Sequence, residues 1–288
     1  RIGRTTSVPQ FQTPRSFNLR DSYAWTRANH GLKFGGELIH VQTGIRDVSA
    51  LIGNFNYSGR FTGQNGQYQG GIADVLLGFP TRYQQDSDTT FNQWQKIWSV
   101  FAQDDWKVNP KLTMNYGLRY EFSTPPRERD FLAANLDPGS QTYVNAKEGG
   151  LFAHSLVHPD YNNFAPRFGF AYAPFERTVI RGAYGIFYNH TNRSGREGLL
   201  GFNFPFIILA DSNIGGSGVL KASNAIFRLQ DGIPAGFVDP ARVNVSTTFR
   251  RAQDMNQRTA YVQQWNLSIQ RELAADLLFD VAYVGNKG

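Results

Sequence analysis

The sequence predicts an all-β chain, an antiparallel transmembrane β-barrel segment of about eight strands with long extracellular loops. Three observations predict it. Stretches of about 9–11 residues, the length that crosses a bilayer at a tilt, alternate large apolar residues with polar residues or glycine. A period of two is the mark of a strand whose faces meet different surroundings. These stretches pair through tight turns, and long polar connections separate the pairs. Tight turns then fall at one end of the strands and long connections at the other, a sorting that a soluble Greek-key sandwich has no reason to show.

Composition agrees and excludes other classes. The 288 residues suffice for one large β domain or two small ones. Aromatic residues make up 14%, with 23 Phe and 13 Tyr, and Gly is abundant at 29. Mean hydropathy is −0.41. Membrane barrels can average this way because only every second strand residue meets lipid. The most apolar short run, residues 204–210, is far below the roughly 18 residues of a membrane-spanning helix. Without cysteine there is no disulfide framework, thiolate metal site or thiol nucleophile. The net charge of +6 is scattered, not clustered, which argues against a nucleic-acid partner. The chain opens on Arg1 without a signal-peptide pattern and stops on Gly288 directly after a strand, as a piece of a longer protein would.

The clearest hairpin is residues 98–122, WSVFAQDDWKVNPKLTMNYGLRYEF, with its turn at Val108-Asn109-Pro110-Lys111. On the second strand Leu112, Met114, Tyr116, Leu118, Tyr120 and Phe122 share one face. Thr113, Asn115, Gly117, Arg119 and Glu121 share the other. Residues 1–15, with Pro9 and Pro14, read as a loop. Residues 16–27 alternate, with Phe17, Leu19, Tyr23 and Trp25 on one face, and residues 32–41 return after the tight turn Asn29-His30-Gly31. The first long connection, 42–93, holds a short strand within 55–61 and two helical turns at 71–78, where Ile72, Val75 and Leu76 share a face. Its amide-rich run at 84–95 reads as exposed, or as an extension of the next strand. In the second connection, 123–163, Pro125-Pro126 and the charges after them rule out a membrane strand. Residues 164–173 and 178–190 form a hairpin, and 261–270 with 277–285 form the last. Between these two hairpins lies the longest connection, 191–259; connections of that length are often functional.

The run Phe101-Ala102-Gln103-Asp104-Asp105-Trp106-Lys107-Val108-Asn109-Pro110-Lys111-Leu112-Thr113, then Gly117-Leu118-Arg119-Tyr120-Glu121, resembles the barrel of TonB-dependent outer-membrane receptors. The likeness is greatest to the Oar-like receptors of Acidobacteria and related bacteria. Further matching pieces are Leu32-Lys33-Phe34-Gly35-Gly36-Glu37, Ala73-Asp74-Val75-Leu76-Leu77-Gly78, Phe164-Ala165-Pro166-Arg167-Phe168-Gly169 and Arg181-Gly182-Ala183-Tyr184-Gly185-Ile186-Phe187-Tyr188. The resemblance implies a larger up-and-down barrel of about 22 strands around an N-terminal plug. Residues 1–288 would then be a partial barrel domain, with the plug and the C-terminal strands absent from it. It also implies a bacterial outer-membrane location in contact with lipid, energy supplied by the TonB–ExbB–ExbD complex through the plug, and no enzymatic activity or cofactor. The ligand would be a siderophore, a glycan or a similar small molecule bound by extracellular loops. An Oar-like surface adhesion or export-associated role is the alternative within the family, and a soluble β-sheet carbohydrate-binding protein the alternative outside it.

The ligand-binding candidates are Arg119, Glu121, Arg167 and Arg181 on the inner wall and Phe202, Phe204 and Phe206 in the longest loop. Arg20, Lys33 and Glu37 join the inner set, which would line a substrate path or, in a complete receptor, hold the plug by charge pairs. Asp104 and Asp105 are adjacent in a strand and so point apart, which excludes a catalytic carboxylate pair. His154 and His158 have a helical metal-ligand spacing but lack further ligands nearby in sequence, and read as loop histidines. Trp98, Trp106, Tyr116, Tyr120, Phe168, Tyr172, Tyr184 and Tyr188 suit the two interfacial girdles.

Overall fold

The computed structural model describes residues 8–64, 71–190, 200–241 and 251–288. Tight turns fold the chain into four long hairpins. The first is β1 (Phe11–Arg27) and β2 (His30–Arg46). A connection carrying β3 (Asn54–Asn56), α1 (Ile72–Leu77) and β4 (Arg82–Asp86) leads to the second, β5 (Phe91–Asn109) and β6 (Leu112–Ser123). The next carries β7 (Arg127–Glu128), β8 (Ala134–Asp137), β9 (Thr142–Asn145) and α2 (Leu151–Ser155), and leads to β10 (Phe164–Phe175) and β11 (Thr178–Asn189). The last carries β12 (Leu209–Asn213) and leads to β13 (Ala260–Ala274) and β14 (Leu277–Lys287). The hairpin strands lie side by side in the order β1-β2-β5-β6-β10-β11-β13-β14, each antiparallel to its neighbour, and β7 pairs with the start of β5. β1 and β14 have no strand on their outer edges among the described residues.

The register carries one face across the whole sheet. Trp98 lies opposite Leu38 and Phe122, and Tyr116 opposite Asp104 and Phe168. Tyr184 follows opposite Phe168 and Trp265. This face leaves Val100 58%, Leu118 49%, Leu267 48% and Val281 54% exposed. A sheet-wide apolar surface of this kind is a lipid contact, not a water contact. Two of its glycines sit under rings. A Cβ on Gly182 would come within 2.5 Å of the Phe170 ring, and one on Gly285 within 2.5 Å of the Trp265 indole. Each ring lies over the cross-strand glycine and covers backbone that lipid cannot hydrogen-bond.

The structure departs from the sequence expectation in four places. The segment read as a loop before residue 16 belongs to β1 from Phe11 on, with Pro14 opposite Thr43 of β2. The short strand expected within 55–61 is instead Asn54–Asn56. The amide-rich run is not exposed but in part extends the next strand, the alternative reading: β5 begins at Phe91, and Asp86, Phe91, Gln93 and Gln95 are buried where β4 and the top of β5 meet the loops. The helix at α1 forms, closed by Gly78 at φ 72°, but with its shared apolar face turned out: Ile72 is 74% and Leu76 83% exposed. Asp74 is the buried residue and accepts a hydrogen bond from the Thr62 hydroxyl at 2.8 Å. One buried carboxylate with a tertiary partner outweighs the apolar stripe in orienting so short a helix.

The midpoint between Trp98 and Trp106 is Ala102, which faces Leu118. Replacing Leu118 by Arg should lower the unfolding free energy in lipid vesicles by about 2–4 kcal/mol, the cost of a cation at the bilayer midplane. Arg at Gln103, one residue along and on the opposite face, should cost far less. Denaturant titrations of the two variants, followed by tryptophan fluorescence, check the difference.

Candidate functional site

The inner wall is built by the residues that alternate with the lipid face. At its upper part Arg119 is held from three sides. Its Nε donates to Glu121 at 2.5 Å, and its terminal nitrogen donates to Ser99 at 2.8 Å and to Glu37 at 3.4 Å. Asn18 donates to Glu37 at 3.0 Å, and His190 meets the other oxygen of Glu121 at 2.6 Å. The period of two places Arg119 and Glu121 on one face two residues apart, and the sheet register brings Ser99 and Glu37 across from Glu121. The arrangement ties β2, β5, β6 and the end of β11 together, so Arg119 and Glu121 are partners of each other.

Lower on the same wall the cations stand apart. Arg20, Lys33, Arg119 and Arg167 surround a hollow of about 140 Å³, and Arg20 and Lys33 have no ion-pair partner among the described residues. Arg167 lies over the Phe187 ring at 4.7 Å. Beside it opens a groove of about 500 Å³ floored by amides, including Gln103, Asn115, Gln264 and Asn266. Asn115 donates to Asp105 at 2.6 Å. Arg181 is exposed on this wall towards the short-turn end, opposite Ala171 and Ser268. Phe101 and Phe187 were missed as inner-wall residues by sequence reasoning. Both fall on the polar register, so alternation alone would have revealed them.

The long connections form one body above the strands. β12 pairs with β4, and β4 with β3, so the first and third connections share a small sheet. Arg82 grips Asp211 across it with two bonds of 2.9 and 2.5 Å. Tyr83 is fully buried there among Phe55, Phe227 and Phe237. Two buried asparagines join the second and third connections by imitating backbone. Asn203 donates to the carbonyls of Ala134 (2.6 Å) and Arg251 (2.8 Å) and accepts from the Arg251 N–H (2.9 Å). Asn135 does the same with Leu156 and Gln253. Phe202 is buried against Ile45, Phe91 and Ile207, so its ring belongs to this loop core; Phe204 and Phe206 are half-buried beside it. Asp160 clamps the return of the third connection, accepting from the Thr259 N–H at 2.9 Å and from Arg258 at 3.1 Å. Burial pushes the Asp160 carboxyl up, but the Thr259 N–H and the Arg258 guanidinium outweigh it and hold the group below its ordinary 3.8.

The remaining candidates are not brought together. Asp105 faces the lumen, while Asp104 sits on the lipid face, bonded to Tyr116 at 2.8 Å and His30 at 2.7 Å. His154 meets the Glu128 carbonyl at 2.7 Å and stacks on Phe131, and His158 stacks on Phe152. Among the described residues no three His, Cys, Asp or Glu side chains are grouped as a metal site.

The model of the outer membrane beta barrel domain family matches residues 1–288. The chain belongs to this family. It is therefore a bacterial outer-membrane domain, its apolar face in lipid and its polar face on the lumen. Two solved structures are similar to this barrel domain. One is the ferric citrate transporter FecA in its unliganded form, with 9% identity, a TM-score of 0.38, and coverage of 94% of this chain and 26% of that one. The other is the siderophore receptor PiuA from Acinetobacter baumannii, with 14% identity, a TM-score of 0.43, and coverage of 95% and 32%. The chain thus spans about a quarter to a third of their length. No curated protein matches the chain.

Replacing Asn203 by Ala removes three buried hydrogen bonds, to the Ala134 carbonyl and to the Arg251 carbonyl and N–H, at about 1–3 kcal/mol each. Proteolysis within the loops should accelerate, while heat-modifiable gel migration, which reports the strands, stays the same. The Asp160 clamp predicts a pH effect. Because its folded pKa is lowered, its contribution is complete at neutral pH and is lost as pH falls below 3.8 through the depressed value. The protection factor of the Thr259 amide, its exchange rate relative to the intrinsic rate at each pH, should fall over that acid window, and in Asp160→Asn that change in protection should disappear.

Proposed function

We propose that this domain is part of the barrel wall of a TonB-dependent receptor, and that its loop body takes part in capturing a ligand for uptake. One observation carries the reading: all three long connections, at one end of the strands, are knit into a single hydrogen-bonded body above a polar wall. Preorganised loops on a rigid sheet are how binding surfaces are built. The sequence motifs that resemble this receptor class support the same assignment. In this reading the wall cations Arg20, Lys33, Arg167 and Arg181 face a plug and meet its carboxylates and carbonyls. Further strands continue from the unpaired edges of β1 and β14, since an open edge in hydrocarbon is unsatisfied backbone. Phe204 and Phe206, on the loop body, stand as the ligand-facing aromatics. The ligand is a small oxygen-rich molecule, such as a siderophore or a glycan.

A surface-adhesion role of the Oar-like kind has its own support in α1, whose Ile72, Leu76 and Leu77 project from the loop body. Gene deletion separates the two. Loss of energy-dependent uptake of one nutrient from a panel of siderophores and oligosaccharides supports transport. Unchanged uptake with lost cell–cell cohesion sinks it. As a finer test, Arg167→Glu should reduce uptake by about tenfold or more, the scale of reversing one charge at a contact with the plug, with outer-membrane levels unchanged.

A further inference from the structure

The inner wall has a trough between β6 and β13 whose chemistry differs from that of the cations beside it. One row of the sheet runs Asn115, Gly169, Ala183, Asn266. The next runs Gln103, Gly117, Arg167, Gly185, Gln264, Asn286. Where β5, β6, β13 and β14 raise amides, β10 and β11 offer Gly169, Ala183 and Gly185 as a floor. Neighbouring strands lie about 4.8 Å apart, so the backbones of β6 and β13 stand about 14 Å apart. The trough between them holds about 500 Å³, the size of a small-molecule site. Arg167 does not fill it, since its guanidinium lies over the Phe187 ring at the upper end, 4.7 Å from the centroid.

The polar groups converge from both flanks. Gln103, Asp105 and Asn115 stand on one side, and Gln264, Asn266 and Asn286 on the other. Asn115 donates to Asp105 at 2.6 Å. The side chains of Gln103, Gln264, Asn266 and Asn286 are exposed and have no hydrogen-bond partner among the described residues. Each amide carries two N–H donors and a carbonyl acceptor, so the set offers donors and acceptors together. Arg20 and Lys33, the cations without ionic partners, lie outside the lining of this trough. An anion would meet Asp105 here, and an apolar ligand would strip water from the amides without replacing its hydrogen bonds. Neighbouring hydroxyls, each able to donate and to accept, match what the flanks offer.

We propose that this trough is a subsite for a neutral oligosaccharide. The face of a sugar ring lies on the floor of Gly169 and Ala183, where a larger side chain would exclude it. Its hydroxyls donate to the amide carbonyls and to Asp105, and accept from the amide N–H groups of both flanks. The proposal rests on the receptor reading and narrows it. The ligand is an uncharged glycan and not an iron chelate, and the inner wall contributes to choosing it.

The test applies the receptor, purified in detergent from outer membranes, to an array of neutral, uronate-bearing and phosphorylated oligosaccharides. The neutral member bound best is then titrated calorimetrically, with ferric citrate in parallel. Neutral members should bind in preference to charged ones. Their affinity should change less than about twofold between about 0.05 and about 0.5 M salt, because screening acts on charges and not on neutral hydrogen bonds. The double variant Gln264→Ala, Asn266→Ala should bind about tenfold more weakly or worse, the scale of two lost hydrogen bonds. Thr26→Ala, elsewhere on the inner wall, should bind as before. An array that retains no neutral member overturns the proposal, as do a preference for charged members, tighter binding of ferric citrate, or full affinity in the double variant. The array needs no substitution, so it decides the question even where the double variant does not fold. The receptor reading fails by a different result, uptake of every nutrient surviving gene deletion. It survives the loss of this subsite where a siderophore is taken up and no neutral glycan binds.

Discussion

A backbone that crosses hydrocarbon has to satisfy every N–H and C=O inside the sheet, because an unpaired group there costs several kcal/mol. Much of this structure answers to that constraint. Strands pair in chain order, since a hairpin closes its ladder with the shortest possible turn. The turns at one end are accordingly short. The β10–β11 ladder opens at Arg167 opposite Gly185, one residue after Pro166, which has no N–H to contribute. Rings of Phe170 and Trp265 lie over the glycines that would otherwise leave backbone bare to lipid.

Above the bilayer the same constraint lapses and different physics takes over. The loops hold together through specific hydrogen bonds instead of a continuous ladder. Asn203 and Asn135 each place an amide where two chain segments offer matching backbone groups, which is the most compact way to join connections too irregular to pair as strands. The aromatic cluster around Tyr83 and the smaller one around Phe91 and Phe202 supply the apolar burial beneath them. A scaffold of this kind keeps a surface in place while leaving its outer side chains free to vary.

Charge is sorted by height and by face. Arg119, Glu121 and Glu37 form a closed set near the top of the wall, whereas Arg20 and Lys33 have no ionic partner among the described residues lower down. On the outer face the belt between Trp98 and Trp106 is apolar apart from Asp21, on β1 opposite Gly36, and Asp104, which Tyr116 and His30 cover at its lower margin; cations flank it at both ends, Arg27 below and Arg15 and Lys96 above. The inner wall, the loop body and the outer face are therefore three chemically distinct surfaces.

Alternation along the chain determined by itself the strand class, the pairing of neighbours, the lipid face and the end at which the long connections lie. Each of these follows from local periodicity and turn chemistry, and in a sheet with hydrocarbon on one side a one-residue slip would move every side chain to the wrong solvent. The inner-wall placement of Arg119, Glu121, Arg167 and Arg181 was legible for the same reason. What Arg119 does with its charge was not, because Ser99, Glu37 and His190 reach it only through long-range register. Tertiary structure alone decided the loops. Their order rests on contacts such as Asn203 to Arg251 and Arg82 to Asp211, between residues far apart in sequence and without any period. It also turned α1 outward, buried Phe202 and set Asn115 and Asn266 on either side of one trough, since a side chain's neighbours across strands are set by the register and not by the chain.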